Sequence, residues 1–369
     1  MRSVENAKIT LYQFFTLQLL FGIGTAMMFT LGGEAKQASW LAILLGMALG
    51  VVLYLIYYDL YRKYSNLPLT AYSQRIFGRP IGQFISISYM SFFLYGASRN
   101  VRDGIELVSL SYGETPKLVL GIMLVAVVLY AIFNGIEVIS RVGEMYIFLF
   151  FFITILAIIG LFSSGVVKGE NLLPVLEPGW KTILKTTMQQ TWMWPFGEMV
   201  CFTMILPYLN HPKQGLKVGL LGVILTGLFL AMVHSLEVAV LGVEQADRSV
   251  FPFMEMSQKI NVGDVIQRLD AFVMVTIIVN VFFKITIYIY VAVVAAANVF
   301  PVSKNKLFIP MGIVVLMISI FFTESMVGHW VQGSFVLKNV YPFFGAFIPL
   351  TLWIGAILRK KIFKRSHRF

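Results

Sequence analysis

The chain has 369 residues, 58% of them hydrophobic and only 13% charged, with a formal net charge of +11 and a mean hydropathy of +0.80. No ordinary soluble surface can be built from that composition, which excludes a soluble enzyme and implies a polytopic membrane protein. The single cysteine, Cys201, excludes an internal disulfide and a cysteine-based metal cluster.

Runs of about 20 apolar residues, the length that crosses a bilayer, mark about ten spans: 10–31, 39–60, 81–108, 117–134, 143–163, 186–209, 216–241, 266–299, 306–323 and 336–358. The first is too long for a signal-peptide core and shows no small-residue cleavage site, so it is expected to be retained. It is interrupted by Gly22-Ile23-Gly24-Thr25. Spans 3 and 8 are the long ones, as tilted or protruding helices in equivalent positions would be. The connector 163–185, with Pro174, Pro178 and Gly179, lies midway and separates a first repeat (about 10–163) from a second (about 186–358). Span 6 carries Trp194-Pro195-Phe196-Gly197-Glu198. The connector 242–265, with Glu244, Asp247, Arg248, Glu255 and Lys259, reads either as an interfacial helix or as a hydrated loop. After span 10 comes a basic tail, 359–369. No other stretch is long enough to bury a core of its own, so one all-α membrane domain over 1–369 is expected.

Lys and Arg are retained on the cytoplasmic side of membranes. With an even number of spans both ends share one side, and that side holds 17 basic residues, including the tail from Arg359 to Arg368, against 11 opposite and Lys284 within a span. Both termini are expected in the cytoplasm, with the tail near anionic lipid heads. No basic-aromatic module gives the charge a nucleic-acid meaning.

Proline lacks a backbone donor and glycine favours an open backbone, so spans 1 and 6 are each expected to unwind at mid-depth. Interruptions at matching places in two halves point to a five-plus-five inverted repeat with a small-solute site between them. Half-helix N-termini favour a carboxylate and freed carbonyls an ammonium, which suits a zwitterionic amino acid. Gly22, Gly24 and Gly197 would let the backbone approach it, Thr25 adds a hydroxyl, and Trp192, Trp194 and Phe196 would wall or gate the pocket. The same residues also read as packing glycines and interfacial aromatics.

Ionisable groups within a span need a partner or a water path. Glu198, beside the break, can bind a substrate ammonium, carry a proton or pair with a cation of the protein. On span 8, Thr276, Asn280, Lys284 and Tyr288 share one helix face, and Thr286 and Tyr290 lie on roughly the opposite one. The spacing leaves open which face looks inward. Lys284 reads either as a structural partner of a carboxylate or as an ammonium standing where transporters hold a sodium ion. His234 with Glu237, and Arg99 with Arg102 and Asp103, are expected as paired polar contacts. The four histidines lack metal-ligand spacing, and no dinucleotide or phosphate-loop motif is present, so no metal or cofactor is expected.

The opening Lys8-Ile9-Thr10-Leu11-Tyr12-Gln13-Phe14-Phe15, running on to Gly22-Ile23-Gly24-Thr25-Ala26, and the later Pro195-Phe196-Gly197-Glu198 resemble the spore germination permease family. This family comprises the B subunits of nutrient germinant receptors and is related to amino acid, polyamine and organocation transporters. The resemblance implies a nutrient-sensing subunit in the spore inner membrane that binds a small germinant, usually an amino acid. It would act with a receptor A subunit and a lipoprotein C subunit. It also implies a ligand between spans 1 and 6 with help from spans 3 and 8, which carries onto Gly24, Thr25, Phe196, Gly197 and Glu198, and onto Thr286 and Tyr290. Span 3 offers no clear anchor. A proton-coupled amino acid permease is the alternative use of the same pocket.

Overall fold

A computed structural model describes residues 7–110, 112–261, 269–322 and 325–366. Arg2, Arg268 and the side chains of the basic tail beyond Arg359 lie outside that description.

The chain enters its first helix through a capping box. Thr10 Oγ1 accepts from the Gln13 amide (3.1 Å) and Gln13 Oε1 from the Thr10 amide (3.0 Å), which satisfies two donors that a helix start leaves open. α1 (Leu11–Ile23) then stops. At Gly24 the backbone turns to φ 23°, ψ −121° and continues as a single 3-10 turn, Gly24–Met27. The first half goes on through α2 (Ser39–Lys63), a short α3 (Leu69–Phe77) that hydropathy does not reveal, α4 (Arg79–Ser109), α5 (Lys117–Phe133) and α6 (Gly135–Ser163).

The sixth span departs from α-helix more than one proline and one glycine predict. α7 (Gly179–Thr186) passes into a π-turn, Thr187–Thr191, then into turns through the cis Trp194-Pro195 peptide, and finally into 3-10 turns at Gly197–Met204 and Leu206–Tyr208. A stripe of small residues on α2, Ala42, Gly46 and Gly50, seats it. A Cβ on Gly50 would lie 2.5 Å from Phe196 Cβ and one on Gly46 2.6 Å from Thr191 Oγ1. The Thr187 and Thr191 hydroxyls donate to the Ala42 carbonyl at 3.3 and 2.6 Å. Small residues allow such close backbone approach between membrane helices.

The second half consists of α8 (Gly215–Leu241), α9 (Val243–Arg248) and α10 (Pro252–Gln258) in the connector, α11 (Leu269–Ala297), α12 (Lys304–Phe321), α13 (Met326–Asn339) and α14 (Ile348–Ser366). A π-turn at Phe343–Phe347 joins the last two into the tenth span, which begins ten residues before the expected 336 because His329 and Gln332 interrupt the hydropathy. Among the described residues six helices are long and apolar enough to cross a membrane, with Leu11–Met27 and Lys117–Phe133 as shorter apolar ones. α4 and the broken sixth span complete ten crossings of a multi-pass membrane protein. α11 is the central post: its apolar window is 83% buried, against 28–44% for the other five long spans, and α4, α1 and the broken segments pack on it. Phe84, Phe148, Phe152 and Phe335 point outward and are exposed, as lipid-facing side chains are.

Gly50→Leu is expected to overpack the α2 seat and destabilise the protein by ~1–3 kcal/mol. A thermal-unfolding series in detergent checks this, with the exposed Phe152→Leu as a substitution that leaves the midpoint in place.

Candidate ligand site

Halfway along α11, the Lys284 ammonium lies 2.7 Å from Glu198 Oε2, and both side chains are buried. The two charges compensate, as buried charges must. At that distance the contact is a charge-assisted one between the ammonium and Oε2. Glu198 Oε1 accepts from the Tyr288 hydroxyl at 2.7 Å. Lys284 Nζ also donates to Thr25 Oγ1 at 3.4 Å, Thr25 donates to Asn100 Oδ1 at 3.0 Å, and Asn100 Nδ2 donates to the Gly96 carbonyl at 2.7 Å. The Phe21 and Trp194 rings flank the ammonium at 5.4 and 5.9 Å from their centroids.

Local sequence makes this cluster possible. Lys284 and Tyr288 are four residues apart and so reach the same carboxylate from one helix face. Gly24 has no Cβ where one would meet Lys284 Cδ at 2.6 Å, and it also takes the positive φ that other residues avoid. Gly96 likewise makes room for the Tyr288 ring, which a Cβ would meet at 2.7 Å.

The cluster forms the floor of a cavity of about 360 Å³, where Thr25, Asn100 and Glu198 are joined by Trp194, Trp330 and Tyr341. Exposed Glu34, Asp247 and Lys338 stand at its rim, on the face opposite the one that carries both chain ends. Arg99 and Asp103 also line it, tied to α13: Arg99 donates to the His329 carbonyl at 3.0 Å and Asp103 Oδ1 lies 2.8 Å from His329 Nε2. Toward the chain ends the space is closed. Phe21 and Phe14 pack edge-on against Phe202, the Ile9 amide donates to the Tyr208 carbonyl at 2.9 Å and the Asn210 amide to the Ile9 carbonyl at 3.0 Å. Tyr89 and Tyr57 tie to the carbonyls of Phe344 and Gly345 in the tenth span. The cavity thus combines a carboxylate, a hydroxyl and an amide between aromatic walls, with the Lys284 ammonium behind them, and opens on one face only.

Of the residues singled out from sequence, Thr25 and Glu198 line the cavity, and Gly24 and Lys284 lie directly behind Thr25. Gly22 packs against Met199 and Thr226, Phe196 against Gly50, and Gly197 against Met193 and Gly345. These three support the breaks from behind. Thr286 and Tyr290 stand away from the cavity: the Thr286 hydroxyl donates to the Phe282 carbonyl at 2.7 Å, and Tyr290 packs near Tyr208 and Lys304 on the closed side. The face of α11 that meets Glu198 is the one bearing Lys284 and Tyr288. Asn280, one turn away, is wholly buried, and among the described residues neither of its amide atoms has a hydrogen-bond partner. Sequence reasoning misses Asn100, the anchor from α4, although a glycine and an asparagine four apart in an apolar helix are a usable signal, because an intramembrane amide needs a partner.

The model of the family described as spore germination protein matches residues 8–327. Spore germination protein KB of Bacillus subtilis (strain 168) is 33% identical over 371 residues, covering 98% of each chain. Spore germination protein YndE of the same organism is 26% identical, covering 87% of this chain and 88% of its own. Among solved structures, MhsT in complex with L-phenylalanine superposes with a TM-score of 0.69 at 12% identity, over 94% of this chain and 88% of that one. Mhp1, a nucleobase-cation-symport-1 family transporter in a closed conformation with bromovinylhydantoin bound, gives 0.72 at 12% identity, over 96% and 92%. The fold is therefore that of these transporters, with the two halves related as an inverted repeat and spans 1 and 6 interrupted.

Removing one partner of the buried pair leaves the other charge uncompensated. Lys284→Met is expected to destabilise by ~3–5 kcal/mol, and the double variant Glu198→Gln/Lys284→Met to recover most of that. Unfolding midpoints of the two single variants and the double variant check the coupling.

Proposed function

We propose that this chain, which belongs to the spore germination protein family, is a nutrient-sensing membrane subunit that binds a small zwitterion, an amino acid, on the Glu198–Lys284 floor of its one-sided cavity. The observation that carries the reading is that ion pair, which joins the broken sixth span to α11 beside the break of the first span. An amino acid bears the same two charges and exchanges with the pair partner for partner, its ammonium on Glu198 Oε2 and its carboxylate toward Lys284 and Thr25. Neither buried charge is then stranded. A volume of about 360 Å³ sits at the small end of the ~300–1,000 Å³ range of ligand pockets, which suits a single amino acid rather than a peptide.

The distribution of basic residues supports both termini in the cytoplasm, so the cavity mouth faces outward, where a nutrient arrives. Family membership supports the spore inner membrane as the location, and a receptor A subunit and a lipoprotein C subunit as the partners. Ligand binding signals only to the extent that it favours one conformation over another.

The fold also supports a second use of the same pocket, proton-coupled amino acid transport. Reconstitution separates the two. Liposomes holding the purified chain are expected to bind a labelled amino acid saturably without accumulating it, and sustained accumulation would make the chain a permease. Glu198→Gln is expected to weaken binding ~10–100-fold, as loss of a charged hydrogen-bond acceptor does. Unchanged affinity in that variant would remove Glu198 from the site.

A further inference from the structure

A second buried acid-base pair lies next to the break in the first span. His234 and Glu237 are one turn apart on α8, each 2% exposed. His234 Nε2 lies 3.0 Å from the Ala26 carbonyl oxygen, and Nδ1 lies 2.6 Å from Glu237 Oε2. A carbonyl can only accept, so Nε2 carries a hydrogen. An imidazole lone pair and a carboxylate lone pair do not approach to 2.6 Å, so a second proton lies between Nδ1 and Oε2. The pair therefore holds one proton more than a neutral imidazole and a carboxylate would. Either as imidazolium and carboxylate or as imidazole and carboxylic acid, it is electrically neutral with that proton and negative without it.

We propose that His234 and Glu237 form a proton-binding site that locks the break of the first span and makes nutrient binding depend on one proton; the nutrient part rests on the ligand reading above. Losing the proton would leave a buried, uncompensated carboxylate facing an imidazole lone pair, which must separate or hydrate. His234 then gives up its place on the Ala26 carbonyl. Ala26 adjoins Thr25, whose hydroxyl joins Lys284 to Asn100 on the cavity floor. The chain of contacts runs from proton to imidazole to carbonyl to ligand floor without a gap.

Glu237 Oε1 and Ser39 Oγ are buried without hydrogen-bond partners among the described residues, and both residues line a small cavity of about 20 Å³, room for one water. Thr30, Gly33 and Asp247 line both this cavity and the main one, so the two cavities share a wall on the side of the ligand's mouth.

Among the described residues, little else around the pair competes for the role. Lys36 and Asp247 line the small cavity but are exposed. Around them, Glu34 pairs with Lys185 and Lys338, Glu244 with Arg248, and Glu255 accepts from Ser249 and Gln245. Lys168 and Glu170, beside the outer end of α8, are exposed. α1 and Gly24–Met27 carry no charged residue, and the acidic and basic residues of α2, Asp59, Arg62 and Lys63, lie at its far end. Lys213 and Lys217 sit at the opposite end of α8.

Glu237→Gln imitates the protonated state, since its amide can donate to Nδ1 while Nε2 keeps the Ala26 carbonyl. Two measurements on the purified chain in nanodiscs, from about pH 5 to about pH 8, read the proposal. In the first, hydrogen exchange of the amides around residues 25–28, corrected for intrinsic rates, is expected to lose protection as pH rises in the wild type and to stay constant in Glu237→Gln. In the second, affinity for a labelled amino acid is expected to fall with rising pH by at most tenfold per unit, the limit for one linked proton, and to stay at its low-pH value in Glu237→Gln. Exchange that is flat in the wild type, or a pH step that survives in Glu237→Gln, overturns the proton site. A pH step in exchange together with no amino acid bound at any pH keeps the proton lock and overturns the ligand reading alone.

Discussion

A carboxylate and an ammonium held 2.7 Å apart at the centre of a membrane bundle set the terms for everything around them. Either charge alone at that depth is unfavourable by about 2.5–3.5 kcal/mol on insertion scales, and the pair together only roughly balances its own desolvation. Stability is therefore a poor reason for its presence, and the surrounding sequence is shaped to accommodate it. Gly24 and Gly96 clear the paths of Lys284 and Tyr288, and Phe21 and Trp194 offer their ring faces to the ammonium. A hydrophobic core of the same volume would need none of these. The arrangement makes sense as one that can exchange partners, which is what a ligand with the same two charges would do.

The second constraint is the backbone. Where a helix opens inside a bilayer, each freed carbonyl or amide must find a partner in the protein. Side chains supply them here: His234 at the Ala26 carbonyl, Gln190 at the Gly32 amide and the Thr30 carbonyl, and Tyr57 and Tyr89 at Gly345 and Phe344. Thr187 and Thr191 serve the Ala42 carbonyl on the neighbouring α2. These polar side chains on apolar helices are what allow two breaks to persist side by side, and each ties a break to a neighbouring span. A change at one break is thereby passed to α8, α2 or the tenth span.

Much of this was legible before any coordinates. Hydropathy marks nearly all the crossings, and Gly24 and the Pro195-Phe196-Gly197 group mark the two places where regular helix fails, because glycine and proline act through local backbone terms that need no partner. Thr25 and Glu198 follow from adjacency to those breaks. The face of α11 does not follow, since a helix buried all round has no polar side to betray its orientation; Thr286 and Tyr290 are as buried as Lys284. Asn100 escapes because its partner Thr25 lies 75 positions earlier. The His234–Glu237 pairing can be read from an i, i+3 spacing, whereas its attachment to Ala26, 208 positions away, is a tertiary fact. The full extent of the sixth-span distortion depends on the small-residue seat of α2, which lies 145 to 149 positions upstream of it and leaves no local trace.

The two closures of the cavity differ in kind, and that difference bears on what a bound ligand can do. Toward the chain ends the seal is built from packed aromatic rings and from main-chain bonds between Ile9 and the Tyr208–Asn210 segment. On the open side Phe29 packs against Trp194 and Trp330, and the polar ties are Arg99 and Asp103 to His329, and Glu34 to Lys185 and Lys338. The exposed Glu34 contacts are worth little and exchange easily, and the buried Asp103–His329 contact is a single pair, whereas opening the far seal must break several buried contacts together. A ligand that replaced the internal ion pair would release this charge contact between α11 and the sixth span, and so would weaken the hold of α11 on the broken sixth span without opening the far seal. On the proposed ligand site, the first response would be a shift of the sixth span against α11. Whether the response ends as a signal or as release inward depends on whether the stabilisation gained on binding exceeds what the aromatic seal holds.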